Sequence, residues 1–142
     1  MDIEGYNMPE DLYYESNHFW VRMEGDVAVM GMDDFAQKLA GEVVFVGLPP
    51  EGKQLKQFKN FAKVESGKWL GKVYAPLSGE LVAVNEELEM KAKLINQDCY
   101  GAGWMYKIKP SDTAELDNLI HGEDGLKKWI KEEMEKYADQ IK

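Results

Sequence analysis

Lys68 is the residue whose place in the sequence points most directly to chemistry. It follows Gly67 in "AKVESGKWLGKVYAPLSGE" (62–80), between two runs rich in β-forming residues. Glycine suits the first central position of a two-residue type II′ hairpin turn, where φ is positive. Ser66–Trp69 would then form the turn, with the Lys68 ammonium in water. The residues alone leave two interpretations: a solvated lysine at a hairpin tip, or a lysine presented for covalent modification.

Other residue types that do chemistry are scattered along the chain. His18 and His121 stand far apart, with the single cysteine, Cys99, between them. A zinc site needs three or four grouped ligands. The sequence also lacks a phosphate-binding loop, a nucleophile elbow and a dinucleotide fingerprint. We therefore expect no metal or catalytic site, a hydrogen-bonded structural role for His18, and a half-buried position for Cys99.

Size and charge exclude several classes of function. The chain has 142 residues, about one domain, and a net charge of −9, whereas nucleic-acid binders usually carry a basic stripe. No apolar run reaches the roughly 18 residues that a membrane span needs. The acidic N-terminus lacks the basic and apolar segments of a secretion signal. We expect a soluble cytoplasmic protein with no nucleic-acid or membrane partner.

The elements that must position Lys68 are mostly strands. Residues 18–32 predict a hairpin around "EGD", and residues 33–41 predict a short helix capped by aspartate and ended by glycine. "EVVFVGL" (42–48) is apolar on both faces, which predicts a central strand. "NEELEMKAK" (85–93) predicts an irregular polar segment. Further strands are predicted at "FAKVES", "WLGKVYA", "ELVAV" and "WMYKIK".

The last part of the chain has a helical pattern. Asp112 and Glu115 have the spacing of a capping box, with Gly122 as a stop. Apolar residues then recur at three- and four-residue spacing: Leu126, Trp129, Ile130, Met134, Tyr137, Ala138 and Ile141. We predict a β domain at 1–110 and a helical extension at 111–142 packed on it, forming one structural domain. A helix that docks a partner is the alternative.

Six stretches resemble the glycine cleavage system H-protein family over about residues 12–120, in the family's order and spacing. They are "HFWV", "VGLP", "VESGK", "VYAPLSGELVAVNEEL", "LIN" and "YGAGWMYKIKPSD". Gly52 lies 16 residues before Lys68 and Gly79 lies 11 after it, a framing shared by lipoyl and biotinyl carrier domains. The resemblance implies a mainly β (α+β) barrel-sandwich hybrid of two small antiparallel sheets, with a lipoyl-lysine hairpin, a short internal helix and C-terminal helices.

The resemblance also implies a covalent cofactor, lipoic acid, joined to Lys68 as an amide. "VESGK" matches the family's attachment stretch, which includes Glu65 and here Gly67, and Gly79 belongs to the framing. Biotin carriers have methionine on both sides of the lysine, and this chain does not. The implied function is that of a carrier, not an enzyme. Its implied partners include a lipoate ligase or lipoyl transferase and dihydrolipoamide dehydrogenase.

Two positions depart from the family pattern in the cleft that receives the cargo. Phe19 follows His18 where the family has glutamate, and Lys72 stands where the family commonly has aspartate. His18, Phe19 and Lys72 are expected at this cleft. A cationic aminomethyl cargo would lose two carboxylates there. A third departure is local: Val-Lys-Ala in the family becomes Gly67-Lys68-Trp69 here, followed by Gly71. With this stretch as the deciding feature, we favour an H-like lipoate-binding protein of sulfur oxidation, working with a heterodisulfide-reductase-like complex.

Two other functions stay open. A glycine cleavage H protein would carry the aminomethyl group from glycine decarboxylase to aminomethyltransferase, with other cleft residues replacing the missing carboxylates. A binding module that is never modified is the more remote alternative, and the intact Lys68 and Glu65 argue against it.

Overall fold

The structure is a computed structural model, and it describes residues 1–141. Its strands are β1 (Asp2–Ile3), β2 (Tyr6–Asn7), β3 (Tyr13–Glu15), β4 (Phe19–Glu24), β5 (Val27–Met32), β6 (Val43–Val46), β7 (Gln54–Leu55), β8 (Asn60–Ser66), β9 (Leu70–Tyr74), β10 (Gly79–Val84) and β11 (Tyr106–Pro110). Its helices are α1 (Asp34–Ala40), α2 (Glu87–Met90), α3 (Leu94–Gln97), α4 (Glu123–Lys136) and α5 (Ala138–Ile141), with a 3₁₀ helix at Thr113–Asn118.

Two antiparallel sheets form the body of the protein. The larger has the strand order β3-β4-β5-β11-β10-β7 and the smaller has the order β6-β8-β9. Val21 and Leu81 of the larger sheet and Val64 and Val73 of the smaller one are buried in the same core cluster. Because each sheet must cover one apolar face, the two share a single apolar layer between them. The mainly β fold predicted from the resemblance is confirmed.

Two local predictions differ from the structure. β6 lies at an edge of the smaller sheet, not at its centre. The pairing of β6 with β8 shifts register between Val43 and Phe45, and Val44 and Phe45 are 58% and 43% exposed. An apolar run on both faces therefore does not mean burial here. The segment predicted to be irregular instead contains α2, whose Leu88 is buried and anchors the turn in the core.

The C-terminal helix α4 meets the larger sheet through a second core cluster. Leu126 and Ile130 are fully buried there with Tyr14, Trp20 and Phe35, whereas Trp129 is only half-buried. The division of the chain at residue 110 stays a prediction.

The capping box predicted before this helix is only half formed. Asp112 accepts from the Ala114 N–H at 3.0 Å, but the Glu115 carboxylate bonds to Ser78 instead. Gly122 has φ +90° and begins α4, so it does not act as the stop of a preceding helix.

Candidate functional site

Lys68 lies at the exposed tip of the β8–β9 hairpin. The last paired residues of the ladder are Glu65 and Leu70, and the Ser66 N–H donates to the Trp69 carbonyl at 2.8 Å across the tip. Gly67 has φ outside the positive region that a type II′ turn requires. The hairpin prediction is therefore right, but the turn type is wrong. A Cβ at Gly67 would meet nothing within 4 Å, so the backbone does not require glycine there.

The two framing glycines support the larger sheet at a distance from the hairpin tip. Gly79 has φ +152°, and a Cβ there would collide with the carbonyl oxygen of Lys109 on the neighbouring strand. Gly52 has φ +93°, and its N–H donates to the Leu81 carbonyl at 2.8 Å. Only glycine adopts such φ values without strain. The positions of Gly52 and Gly79 around Lys68 in the sequence therefore reflect backbone contacts with the larger sheet, and neither glycine contacts Lys68.

A cleft of about 460 Å³ opens beside the hairpin tip. It is lined by Asn17, His18, Phe19, Met32, Ala36, Leu39, Ala40, Lys68, Trp69, Tyr137 and Gln140. The Lys68 stem lies over the end of α1, since a Cβ built on Gly41 would be 3.2 Å from Lys68 Cε. The cleft thus brings Lys68 together with His18 and Phe19.

Lys72 and Glu65 are not among the residues that line this cleft. Lys72 is exposed and pairs in register with Lys63, while Glu65 pairs with the exposed Leu70. Their strand neighbours Gly71 and Val64 are buried, and side chains alternate between the faces of a strand. Lys72 and Glu65 therefore lie on the outer face of the smaller sheet.

Trp69 also lines the cleft, although it was not predicted to belong to the site. Its indole lies against the backbone of Gly71, because a Cβ at position 71 would collide with the ring. Residues two apart on a strand share a face, so the Trp-x-Gly spacing was a usable signal. Trp69 stays 40% exposed and lines the cleft.

The cleft wall on the side of α1 contains a buried ionic link. His18 Nδ1 lies 2.8 Å from Asp33 Oδ2, and His18 Nε2 lies 2.8 Å from Glu133 Oε1 of α4. The imidazole stacks between Phe35 and Trp129, with centroid separations of 4.7 and 4.4 Å. His18 is thus a hydrogen-bonded structural residue, as expected, and it also lines the cleft.

The protonation of His18 follows from this environment. Burial alone lowers the pKa of His18, but the charges and hydrogen bonds of Asp33 and Glu133 outweigh burial and raise that pKa to about 9. Both ring nitrogens then donate to carboxylates near neutral pH. The link ties α4 to the loop before α1, which positions Tyr137 and Gln140 at the cleft.

Comparison with known proteins decides the family. The model of the family described as "Glycine cleavage H-protein" matches residues 12–133. The chain belongs to the glycine cleavage H-protein family. A glycine cleavage system H protein from Symbiobacterium thermophilum is 49% identical over 114 residues, covering 80% of this chain and 89% of that protein. Another, from Carboxydothermus hydrogenoformans, is 43% identical over 128 residues, covering 90% and 98%.

A solved structure agrees with the family assignment. The crystal structure of a glycine cleavage system H protein from Mycobacterium marinum superposes with a TM-score of 0.69 at 29% identity, covering 78% of this chain and 97% of that one. H-family proteins are lipoyl carriers and not catalysts, so the chain is a carrier by family. Within residues 1–141, no helix has the length and apolar character to cross a membrane.

Proposed function

We propose that the chain is a glycine cleavage system H protein with lipoic acid on Lys68. Its arm would take the aminomethyl group from glycine decarboxylase to aminomethyltransferase, and dihydrolipoamide dehydrogenase would restore the disulfide. The observation that carries the proposal is the position of Lys68, at an exposed hairpin tip and at the edge of a 460 Å³ cleft. Relatives named glycine cleavage system H protein, at 43–49% identity, support the choice of pathway.

The residues around Lys68 fit a lipoyl group. Within residues 1–141, the Lys68 ammonium makes no salt bridge, so its nitrogen is free to form an amide. Met32, Leu39 and Ala40 give the cleft apolar walls that suit a dithiolane ring. When bound, lipoate supplies a disulfide that opens to take up a group and returns as a dithiol. The protein contributes a base for the arm and a cleft that shields its end from water.

The sulfur-oxidation interpretation finds no support in these observations. It rested on the stretch "SGKWLG" (66–71) and on Phe19 and Lys72 as cleft residues, and Lys72 lies on the outer face of the smaller sheet. The relatives reported above are named for glycine cleavage, and none of them points to a heterodisulfide-reductase-like partner. We therefore propose the glycine cleavage partners in its place.

Intact-mass measurement tests the attachment site. After incubation with lipoate ligase, ATP and lipoate, the wild-type protein is expected to gain one lipoyl group. Lys68→Arg is expected to gain none, because a guanidinium does not form the amide. Lys72→Arg is the matched control and should be modified like the wild type. Lipoylation of Lys68→Arg, or of Lys63 in the wild type, would contradict the proposal.

A second experiment tests the pathway. Lipoylated protein mixed with glycine decarboxylase is expected to support exchange of labelled bicarbonate into the glycine carboxyl group. Lys68→Arg treated in the same way should not. If fully lipoylated protein supported no exchange, the carrier role would remain and the glycine cleavage role would be lost.

A further inference from the structure

The cleft beside Lys68 has aromatic walls and no carboxylate. Among the described residues that line it, three besides His18 carry aromatic rings, Phe19, Trp69 and Tyr137, and none is aspartate or glutamate. On lipoylation the Lys68 nitrogen becomes a neutral amide, so this lysine no longer contributes a positive charge. His18 is the remaining charged lining residue, and both of its nitrogens bond to carboxylates.

A primary amine as cargo sets a clear requirement for these walls. Such an amine is protonated near neutral pH, and an ammonium moved out of water needs a compensating partner. Aromatic faces provide one, since a cation within about 6 Å of a ring centroid is attracted by the ring quadrupole, most strongly by tryptophan. We propose that Trp69, held in place on Gly71, binds the protonated amine at the end of the loaded arm. This inference rests on the proposed function.

Trp69 is the ring best placed for this task. Phe19 is only 2% exposed, so most of its surface is already covered. Tyr137 already has the Lys136 ammonium 5.2 Å from its ring centroid. Across residues 1–141, no lysine or arginine lies over the ring of Trp69, a residue that is 40% exposed. The exposed part of Trp69 is therefore available to a cation that enters the cleft.

The C-terminal residues of the cleft add neutral hydrogen-bonding groups. Tyr137 and Gln140 lie beyond residue 133, where the match to the family model ends. The amide of Gln140 and the hydroxyl of Tyr137 can each accept a hydrogen bond from an ammonium. Tyr137 and Gln140 thus lie outside the region that matches the family model. Their hydrogen-bond acceptors add to the attraction that the Trp69 ring offers to a cation.

The test compares two arms that differ in charge. The reduced dihydrolipoyl thiols are alkylated with ¹³C-labelled 2-bromoethylamine, which leaves an ammonium, or with ¹³C-labelled iodoacetamide, which leaves a neutral amide. Cys99 is spared at pH 8, because it is buried and burial raises its thiol pKa to about 12. NMR then records the ring-current shift of the adduct methylenes and the shift of the Trp69 indole N–H.

The ammonium arm is expected to shift both signals, and the neutral arm to shift them much less. Trp69→Leu should lower the docked fraction of the ammonium arm by about two- to five-fold, with Trp69→Phe in between. Gly71→Ala should act in the same direction, because its methyl group displaces the indole. Leu70→Ala is the matched control: Leu70 is 64% exposed on the outer face and should change nothing.

Equal shifts for the two arms would overturn the inference, since the cleft would then bind the thioether without regard to charge. So would a Trp69→Leu variant whose ammonium arm docks like the wild type. The lipoylation and exchange assays distinguish this failure from failure of the proposed function. Normal exchange without a charge-dependent shift removes only the role of Trp69. If Lys68 takes no lipoyl group, both proposals fall together.

Discussion

Replacing Glu133 by glutamine is expected to destabilise the protein more at pH 6 than at pH 9. Glu133 Oε1 accepts a hydrogen bond from His18 Nε2 at 2.8 Å, and Asp33 Oδ2 accepts one from the other ring nitrogen, Nδ1. All three side chains are buried or nearly so. The link joins α4 to the loop before α1, and its strength depends on a positive imidazole.

The expected magnitude follows from the pKa of His18. This pKa rises from 6.5 to about 9 on folding. Each pKa unit corresponds to about 1.4 kcal/mol, so the link contributes up to about 3 kcal/mol to the free energy of unfolding. Because the folded pKa exceeds the unfolded one, this stability is fully present below about pH 6.5. It is lost as the pH rises toward 9, where half of the folded imidazole is neutral.

Glutamine preserves the shape of Glu133 and removes its charge. Its side-chain oxygen can still accept from His18 Nε2, but a charge-assisted hydrogen bond becomes a neutral one. The expected cost at pH 6 is about 1–2 kcal/mol, and the pKa of His18 should fall. At pH 9 the wild type has lost much of the same interaction, so the difference between the two proteins should shrink.

Urea denaturation at several pH values between 6 and 9 measures this difference. Glu132→Gln, on the exposed side of the same helix, is the matched control for the loss of one negative charge. The series stops at pH 9, because the raised pKa of the Cys99 thiol makes it a further source of lost stability above that pH. If Glu133→Gln matched Glu132→Gln at every pH, the link would contribute nothing and the reasoning would be refuted.

Two further substitutions test the packing that holds the site. Ile130→Ala should lower the free energy of unfolding by about 2–5 kcal/mol, because Ile130 is fully buried. Its control is Lys131→Ala, at an exposed position, which should change the free energy of unfolding by about zero in the same urea assay. Gly79→Ala should cost more than about 3 kcal/mol, since its methyl group collides with Lys109 at positive φ, whereas Gly67→Ala should be nearly neutral. Equal melting temperatures for the two glycine variants would contradict this account.

Local signals in the sequence predicted part of the local structure. The β4–β5 hairpin and helix α1 form where predicted, and Asp33 caps α1 by accepting from the Ala36 N–H at 2.8 Å. These features depend on residues close together in the chain. The position of β6 was not predictable in this way, because an apolar run does not reveal whether the strand has a neighbour on one side or two.

The site residues also differ in whether local sequence or long-range packing determines their role. Lys68 was found from a short motif, and Trp69 could have been found from its spacing with Gly71. The partner of His18 could not, because Glu133 lies 115 residues further along the chain and no periodicity links the two. Tyr137 and Gln140 reach the cleft only because α4 is held in place, so their role also depends on long-range packing.

The buried link between His18, Asp33 and Glu133 also affects the electrostatic potential in the cleft. His18 lines the cleft, and Asp33 and Glu133 bond to it from outside the lining. An imidazolium between two carboxylates leaves one net negative charge behind this wall, and the burial of all three side chains reduces its screening. A cation in the cleft is therefore favoured although Phe19 replaces the expected glutamate. Glu133→Gln removes that net charge, so it should reduce docking of the ammonium arm and leave the neutral arm unchanged.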